Sequence, residues 1–153
     1  MAEFQKITPF LWFDGRAQEA AALYVSLFPD SRVVSISPLE AGPAEGAALV
    51  SLVLAGQEFT ALDGGPMFQF SPAISFVVNC ETQEEIDHYW QGLSEGGTSE
   101  QCGWLKDKFG VSWQIVPAAL GDLMEANPEP VMTALLSMEK IDLAALESAA
   151  RGE

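Results

Sequence analysis

Apolar side chains change their spacing repeatedly along this chain, and each change marks an element. Ile7 to Phe13 is an apolar, aromatic run of strand length, closed by the turn pair Asp14-Gly15. From Ala17 to Phe28 the period lengthens: Ala17, Ala20, Ala21, Tyr24, Val25 and Phe28 recur at helical spacing, and Pro29-Asp30 ends the run. Short strands are then predicted at Arg32 to Ser37, Ala47 to Leu54 and Gln57 to Leu62, with a Gly/Pro loop from Pro38 to Gly46 and a turn at Ala55-Gly56. Strand, helix and three strands complete a first module.

The order then begins again. Asp63 to Pro72 is rich in glycine and proline and resists both helix and central strand. Ala73 to Asn79 repeats the first strand, and Thr82 followed by Glu85 has capping-box spacing before a stripe of Ile86, Tyr89, Trp90 and Leu93 that runs to Gly96-Gly97. Thr98 to Cys102, Trp104 to Lys108 and Val111 to Val116 are the remaining strands. Aligning the halves places Tyr24 on Tyr89, Phe59 on Trp113 and Thr60 on Gln114, which points to an internal duplication of a βαβββ unit. Ala118 to Arg151 is helical in composition and interrupted at Pro128 and Pro130. Its Leu135, Leu136, Met138, Ile141, Leu143 and Leu146 form more apolar surface than a free tail exposes, so they are expected to pack on the domain or on a partner subunit. The predicted organisation is one domain over 1–153: module one 5–63, linker 64–72, module two 73–117 and a helical tail 118–153.

Composition narrows the setting. A chain of 153 residues that is 48% hydrophobic can bury one sizeable core. No apolar run approaches the roughly 20 residues of a membrane span, and the N-terminus lacks a secretory layout, so a cytoplasmic protein is expected. Cys80 and Cys102 form no close-spaced pair and are read as reduced thiols. Twenty-two acidic against 7 basic residues give a formal charge of −15, which repels phosphate backbones and anionic lipid; no nucleic acid or membrane partner is expected.

The duplicated order, the segment Cys-Gly-Trp-Leu-Lys-Asp-Lys-Phe-Gly-Val-Ser-Trp-Gln-Ile-Val-Pro from Cys102 to Pro117, Pro-Phe-Leu-Trp-Phe-Asp-Gly from Pro9 to Gly15, Asn-Cys-Glu-Thr-Gln-Glu-Glu-Ile-Asp from Asn79 to Asp87 and Met-Glu-Lys-Ile-Asp-Leu from Met138 to Leu143 carry a family resemblance. Together they resemble the PhnB-like branch of the glyoxalase, bleomycin-resistance and dioxygenase (vicinal oxygen chelate) superfamily. That resemblance implies an α+β fold in which two βαβββ modules form curved, cup-shaped mixed sheets, with C-terminal helices added, and a homodimer. Members of the branch often carry the label 3-demethylubiquinone-9 3-methyltransferase. A methyltransferase that uses S-adenosylmethionine usually presents a glycine-rich strand-to-helix turn in a doubly wound sheet, and Asp14-Gly15 is no such cluster.

Enzymes of the superfamily bind a divalent metal through His and Glu on the first and last strand of each module. Those positions fall here on Pro9, Ile74, Thr60 and Gln114, and neighbouring registers supply no His, Asp, Glu or Cys. Zinc needs three or four nitrogen, sulfur or carboxylate ligands, so no metal and no other cofactor is expected. The single histidine, His88, stands beside Asp87 on the charged face of the second helix and is read as solvated. Lys106 and Asp107 are read as a solvated hairpin end, and Cys102 lacks a neighbouring base to activate it. An apolar site remains: Trp12, Phe13, Phe68, Phe70 and Trp104 supply apolar surface, and Thr60, Ser75 and Gln114 supply hydrogen-bonding groups. The leading expectation is therefore a metal-independent protein that binds a small apolar or aromatic molecule. The alternatives are a lyase, isomerase, dioxygenase or transferase acting on a small aromatic or quinone-like compound, and a structural dimer whose aromatics are all core and interface.

Overall fold

A computed structural model describes residues 4–153. It divides at Gln69/Phe70 into two compact units. The first runs β1 (Phe10–Phe13), α1 (Ala17–Leu27), β2 (Arg32–Pro38), β3 (Ala48–Leu54) and β4 (Gln57–Asp63). The second runs β5 (Phe76–Cys80), α2 (Gln83–Ser94), β6 (Thr98–Ser99), β7 (Trp104–Lys106) and β8 (Ser112–Pro117), followed by α3 (Leu120–Ala126), α4 (Pro128–Leu136) and α5 (Leu143–Ala150). The sheet orders, β1-β4-β3-β2 and β5-β8-β7-β6, are the same pattern twice, with the outer first strand parallel to the closing strand and the rest antiparallel. The duplication read from Tyr24/Tyr89 and Thr60/Gln114 is thus a duplication of topology.

The curved, cup-shaped form expected of the sheets is not what the chain adopts. Its strands form two separate four-stranded mixed sheets. Curvature enters a sheet through bulges and glycine kinks. The ladders here keep continuous register except at Val33/Ser35, on the outer strand β2.

Period-two alternation gives each sheet a helix-covered face and an open face. In the first unit, Leu11, Phe13, Val50, Leu52, Phe59 and Ala61 meet Ala17, Ala20, Ala21 and Tyr24 of α1, all of them buried. Phe10, Trp12, Ser51, Thr60 and Leu62 occupy the opposite, open face by register. In the second unit, Cys80, Leu105, Trp113 and Ile115 are buried with Ile86, Tyr89 and Leu93 of α2, while Val77, Trp104, Lys106, Ser112 and Gln114 share the other face.

The helices start by different means. Asp63, in register with Phe13 at the end of β4, accepts a hydrogen bond from the Ala17 N–H at 2.7 Å and so caps α1 from a distance. The equivalent residue of the second unit is Pro117, three beyond Gln114, and it has no side-chain acceptor. There the local capping box takes over: Thr82 Oγ1 accepts from the Glu85 N–H at 3.2 Å, and Glu85 reaches back to the Glu81 N–H at 2.9 Å.

Some predicted strands are shorter than expected. Thr98 to Cys102 is a strand only at Thr98–Ser99, because the chain turns at Cys102 (φ 62°) and the N–H groups of Cys102 and Gly103 donate to Met138 and Glu139 carbonyls of the tail. A Cβ at Gly103 would strike the Ile115 carbonyl and the Ile141 side chain, so glycine is what lets the tail lie this close. Pro128 begins α4 at its first turn, where a missing N–H costs nothing. Val131, Leu135, Ile141 and Leu146 are buried, and Gln83 fastens the tail by donating to Ile141 O at 3.0 Å and accepting from Leu143 N at 2.8 Å. The helical tail therefore packs on the second unit.

Asp107 departs most from expectation. It is not a solvated hairpin end but is 2% exposed. Its Oδ1 accepts from the N–H groups of Phe109 (2.9 Å) and Val111 (3.0 Å), and its Oδ2 from the indole Nε1 of Trp113 (2.9 Å). These bonds hold the β7–β8 connection closed. Removing the acceptor leaves three donors unmatched in a dry site, each worth roughly 1–3 kcal/mol. Asp107→Ala is expected to lower the unfolding free energy by about 3 kcal/mol or more in urea melts, and Asp107→Asn, which keeps one carbonyl acceptor, by about half as much. Equal, near-zero losses in both variants would mean that the carboxylate does not organise the hairpin.

Candidate functional site

The sites expected from sequence divide by face. Thr60 and Trp12 are half-buried on the open face of the first sheet, Thr60 in register with Phe10 and Ser51. Trp12 is fastened there: its Nε1 donates to the Gly65 carbonyl at 3.0 Å, its ring meets Phe68 edge-on at 5.1 Å, and a Cβ at Gly64 would overlap the indole. Phe68 itself is 59% exposed, and the neighbouring Met67 is also exposed. Phe13 lies on the opposite side, 3% exposed beneath α1, and belongs to the core.

In the second unit, Ser75, Trp104 and Gln114 come together. Trp104 and Gln114 are register partners on β7 and β8, and Gln114 Nε2 donates to Ser75 Oγ at 3.0 Å. All three are half-buried. The next residue on that face along β8 is Ser112, whose Oγ is buried without a hydrogen-bond partner among the described residues; it is in register with Lys106. Sequence reading passed over Ser112, which stands two residues before Gln114 and so shares its face. Phe70 is half-buried near Gly110, at the end of the same hairpin.

These positions form a wall with one flat indole, two hydroxyls and an amide, and a lysine beside them. Chemically, an indole beside hydroxyls and an amide is a set suited to an apolar ring with a few hydrogen-bonding groups. The donor set does not suit the divalent ion of related enzymes. Of the four expected ligand positions, Pro9 and Ile74 have no donor atom in their side chains, and Thr60 and Gln114 bring only neutral oxygens. Among the described residues no three His, Cys, Asp or Glu side chains gather in a group able to hold a metal. His88 is exposed on α2 with its ring 4.8 Å from that of Tyr89.

Both cysteines are free. Cys80 is buried under α2, and burial, with the nearby charge of Glu85, pushes its thiol up to about 12. Burial likewise raises the Tyr89 phenol, helped by Glu85 and Cys80. Cys102 is half-buried at the turn into β7.

Two βαβββ units, each with a parallel outer pair and an open sheet face opposite its helix, define a PhnB-like domain of the vicinal-oxygen-chelate superfamily. The family model for 3-demethylubiquinone-9 3-methyltransferase matches residues 5–116, and the chain belongs to that family. It is similar to a putative 3-demethylubiquinone-9 3-methyltransferase, a PhnB protein from Bacillus cereus, at 44% identity over 73% of this chain and 99% of that one, with a TM-score of 0.66. A protein from Pseudomonas aeruginosa shares the fold at 21% identity over 74% of this chain and 98% of that one (TM-score 0.63). The fosfomycin resistance protein FosX from Listeria monocytogenes shares it at 14% identity, over 77% and 94% of the two chains (TM-score 0.54). None of the curated proteins matches this chain. Among the described residues, no helix is long and apolar enough to cross a membrane.

The raised Cys80 thiol gives a direct check. Titration of the native protein with a thiol-specific dye near pH 8 should modify at most Cys102, and denaturation should release the second equivalent. Rapid modification of Cys80 in the native state would contradict its burial.

Proposed function

We propose that this protein binds a small aromatic or otherwise apolar molecule on the open face of its second sheet, without a resident metal ion. The observation that carries this reading is the half-buried trio of Trp104, Gln114 and Ser75, with the Gln114–Ser75 hydrogen bond orienting the amide beside the indole. A ring stacked on Trp104 removes apolar surface from water, at roughly 25 cal/mol per Å2. The Gln114 amide oxygen then serves a donor on that ring, such as a phenolic hydroxyl. Thr60, Trp12, Phe10 and Phe68 furnish a comparable face in the first unit, and Phe70 flanks the second. The homodimer that the family resemblance implies is part of the same reading.

The family's description names a methyl transfer, and a quinone-like or phenolic ligand would suit a face of this kind. This chain contributes no glycine-rich strand-to-helix turn for the methyl donor: β1 passes to α1 through Asp14-Gly15-Arg16. Binding, rather than methyl transfer, is therefore the reading offered.

A panel of phenols, naphthols and benzoquinones, followed by tryptophan fluorescence and thermal shift after EDTA treatment, tests it. At least one member is expected to bind, with Trp104→Ala and Gln114→Ala each weakening it about 10-fold, or roughly 1.4 kcal/mol. Silence across the panel, or binding indifferent to both substitutions, would sink the proposal. Turnover of S-adenosylmethionine with any of these compounds would replace it with the enzymatic reading.

A further inference from the structure

On the open face of the first sheet, beyond Ser51 and Thr60, lies a shallow, open cleft of about 600 Å3. Arg32, Val53 and Glu58 are successive register partners across β2, β3 and β4, so their side chains rise from one face in a row. With strands roughly 5 Å apart, the Arg32 and Glu58 Cα atoms stand about 10 Å from each other. Gln5 fixes the near wall, donating to the Glu58 carbonyl at 2.9 Å and accepting from the Glu58 N–H at 3.0 Å. Phe4, 80% exposed, forms an apolar rim, and Asp30 lines the cleft as well.

The charges in this cleft are not used up by one another. Arg16 pairs with Glu19 at 2.9 Å and Arg151 with Glu153 at 3.0 Å, whereas the Arg32 guanidinium has no hydrogen bond or ion pair among the described residues. Neither the Asp30 nor the Glu58 carboxylate is engaged in an ion pair there. A simple anion drawn to Arg32 would face two carboxylates on a chain of net charge −15, and a simple cation would face the guanidinium. A molecule carrying both charges complements the whole set. Arginine's planar fork is matched to a carboxylate. An extended dipeptide spans about 7 Å, which suits charged heads rising from Cα atoms about 10 Å apart better than the shorter spacing within a free amino acid.

We propose that the cleft binds a small zwitterion of dipeptide size, its carboxylate on Arg32, its ammonium group against Glu58 and Asp30, and its apolar part along Val53 and Phe4. Isothermal titration of the full chain with alanyl-phenylalanine tests this against the N-acetylated and C-amidated forms. The free dipeptide is expected to bind in the range of about 0.1–1 mM, and blocking either terminus to weaken it about 10-fold. Arg32→Gln and Glu58→Gln, at exposed strand positions, should each weaken the free dipeptide by a similar factor while leaving the thermal midpoint unchanged. Arg32→Lys, which retains the charge but not the fork, should also weaken it. No binding at about 10 mM, equal binding of the blocked forms, or wild-type affinity in the variants would overturn the proposal.

Discussion

The second sheet is organised around the Asp107 carboxylate. One side chain closes the β7–β8 connection by accepting the N–H groups of Phe109 and Val111, and its other oxygen anchors the Trp113 indole. Backbone bonds from Asp107 N to Val111 O (2.8 Å) and from Gly110 N to Asp107 O (3.0 Å) complete the loop. Trp113 packs on Phe76 at 5.3 Å between rings, which ties the hairpin to the outer strand β5. With Trp113 held on the helix side, alternation along β8 places Ser112 and Gln114 on the open side, beside Lys106 and Trp104. The orientation of the proposed binding wall follows from that buried carboxylate.

Duplication produced two copies of one topology that are stabilised differently. Asp63 caps α1 across the sheet, while Pro117 stands at the same position of the second unit and Thr82 caps α2 locally. The first unit ends in a long outer strand, β2, all of whose seven residues are exposed, and it lodges Trp12 against the Gly64-Gly65 backbone. The second shortens its outer strand to two residues and gains the helical tail through Gln83, Gly103 and Ile141. The two halves therefore present different surfaces on one topology: the second gathers Trp104, Gln114 and Ser75, while the first carries Arg32 and Glu58 on the same face as Trp12 and Thr60.

Much of the fold was legible because the hydrophobic period changes where the elements change. Ala17 to Phe28 and Ile86 to Leu93 were readable as helices, and the repeated pattern gave the βαβββ order of elements in both units. What local pattern does not encode is long-range pairing. The Ala17–Asp63 cap spans 46 residues, the hold of Gln83 on Leu143 spans 60, and neither leaves a local signature. Sheet curvature was also beyond reach, since it depends on bulges that periodicity does not reveal. For the site, Gln114, Ser75 and Trp104 stood among eight candidates with nothing local to mark them as neighbours, and Phe13 could not be distinguished from Trp12 until alternation was anchored to the helix. Asp107 was readable after all: an Asp followed three residues later by Gly is a turn signature in which the carboxylate accepts nearby N–H groups.

The central claim is that Asp107 locks the hairpin presenting Trp104 and Gln114, and amide hydrogen exchange followed by NMR tests it most directly. The Phe109 and Val111 amides and the Trp113 indole N–H are predicted to exchange as slowly as the β8 amides that pair with β7, in step with opening of the whole sheet. Exchange of those three protons at the rate of an exposed loop, while the β8 amides stay protected, would contradict it.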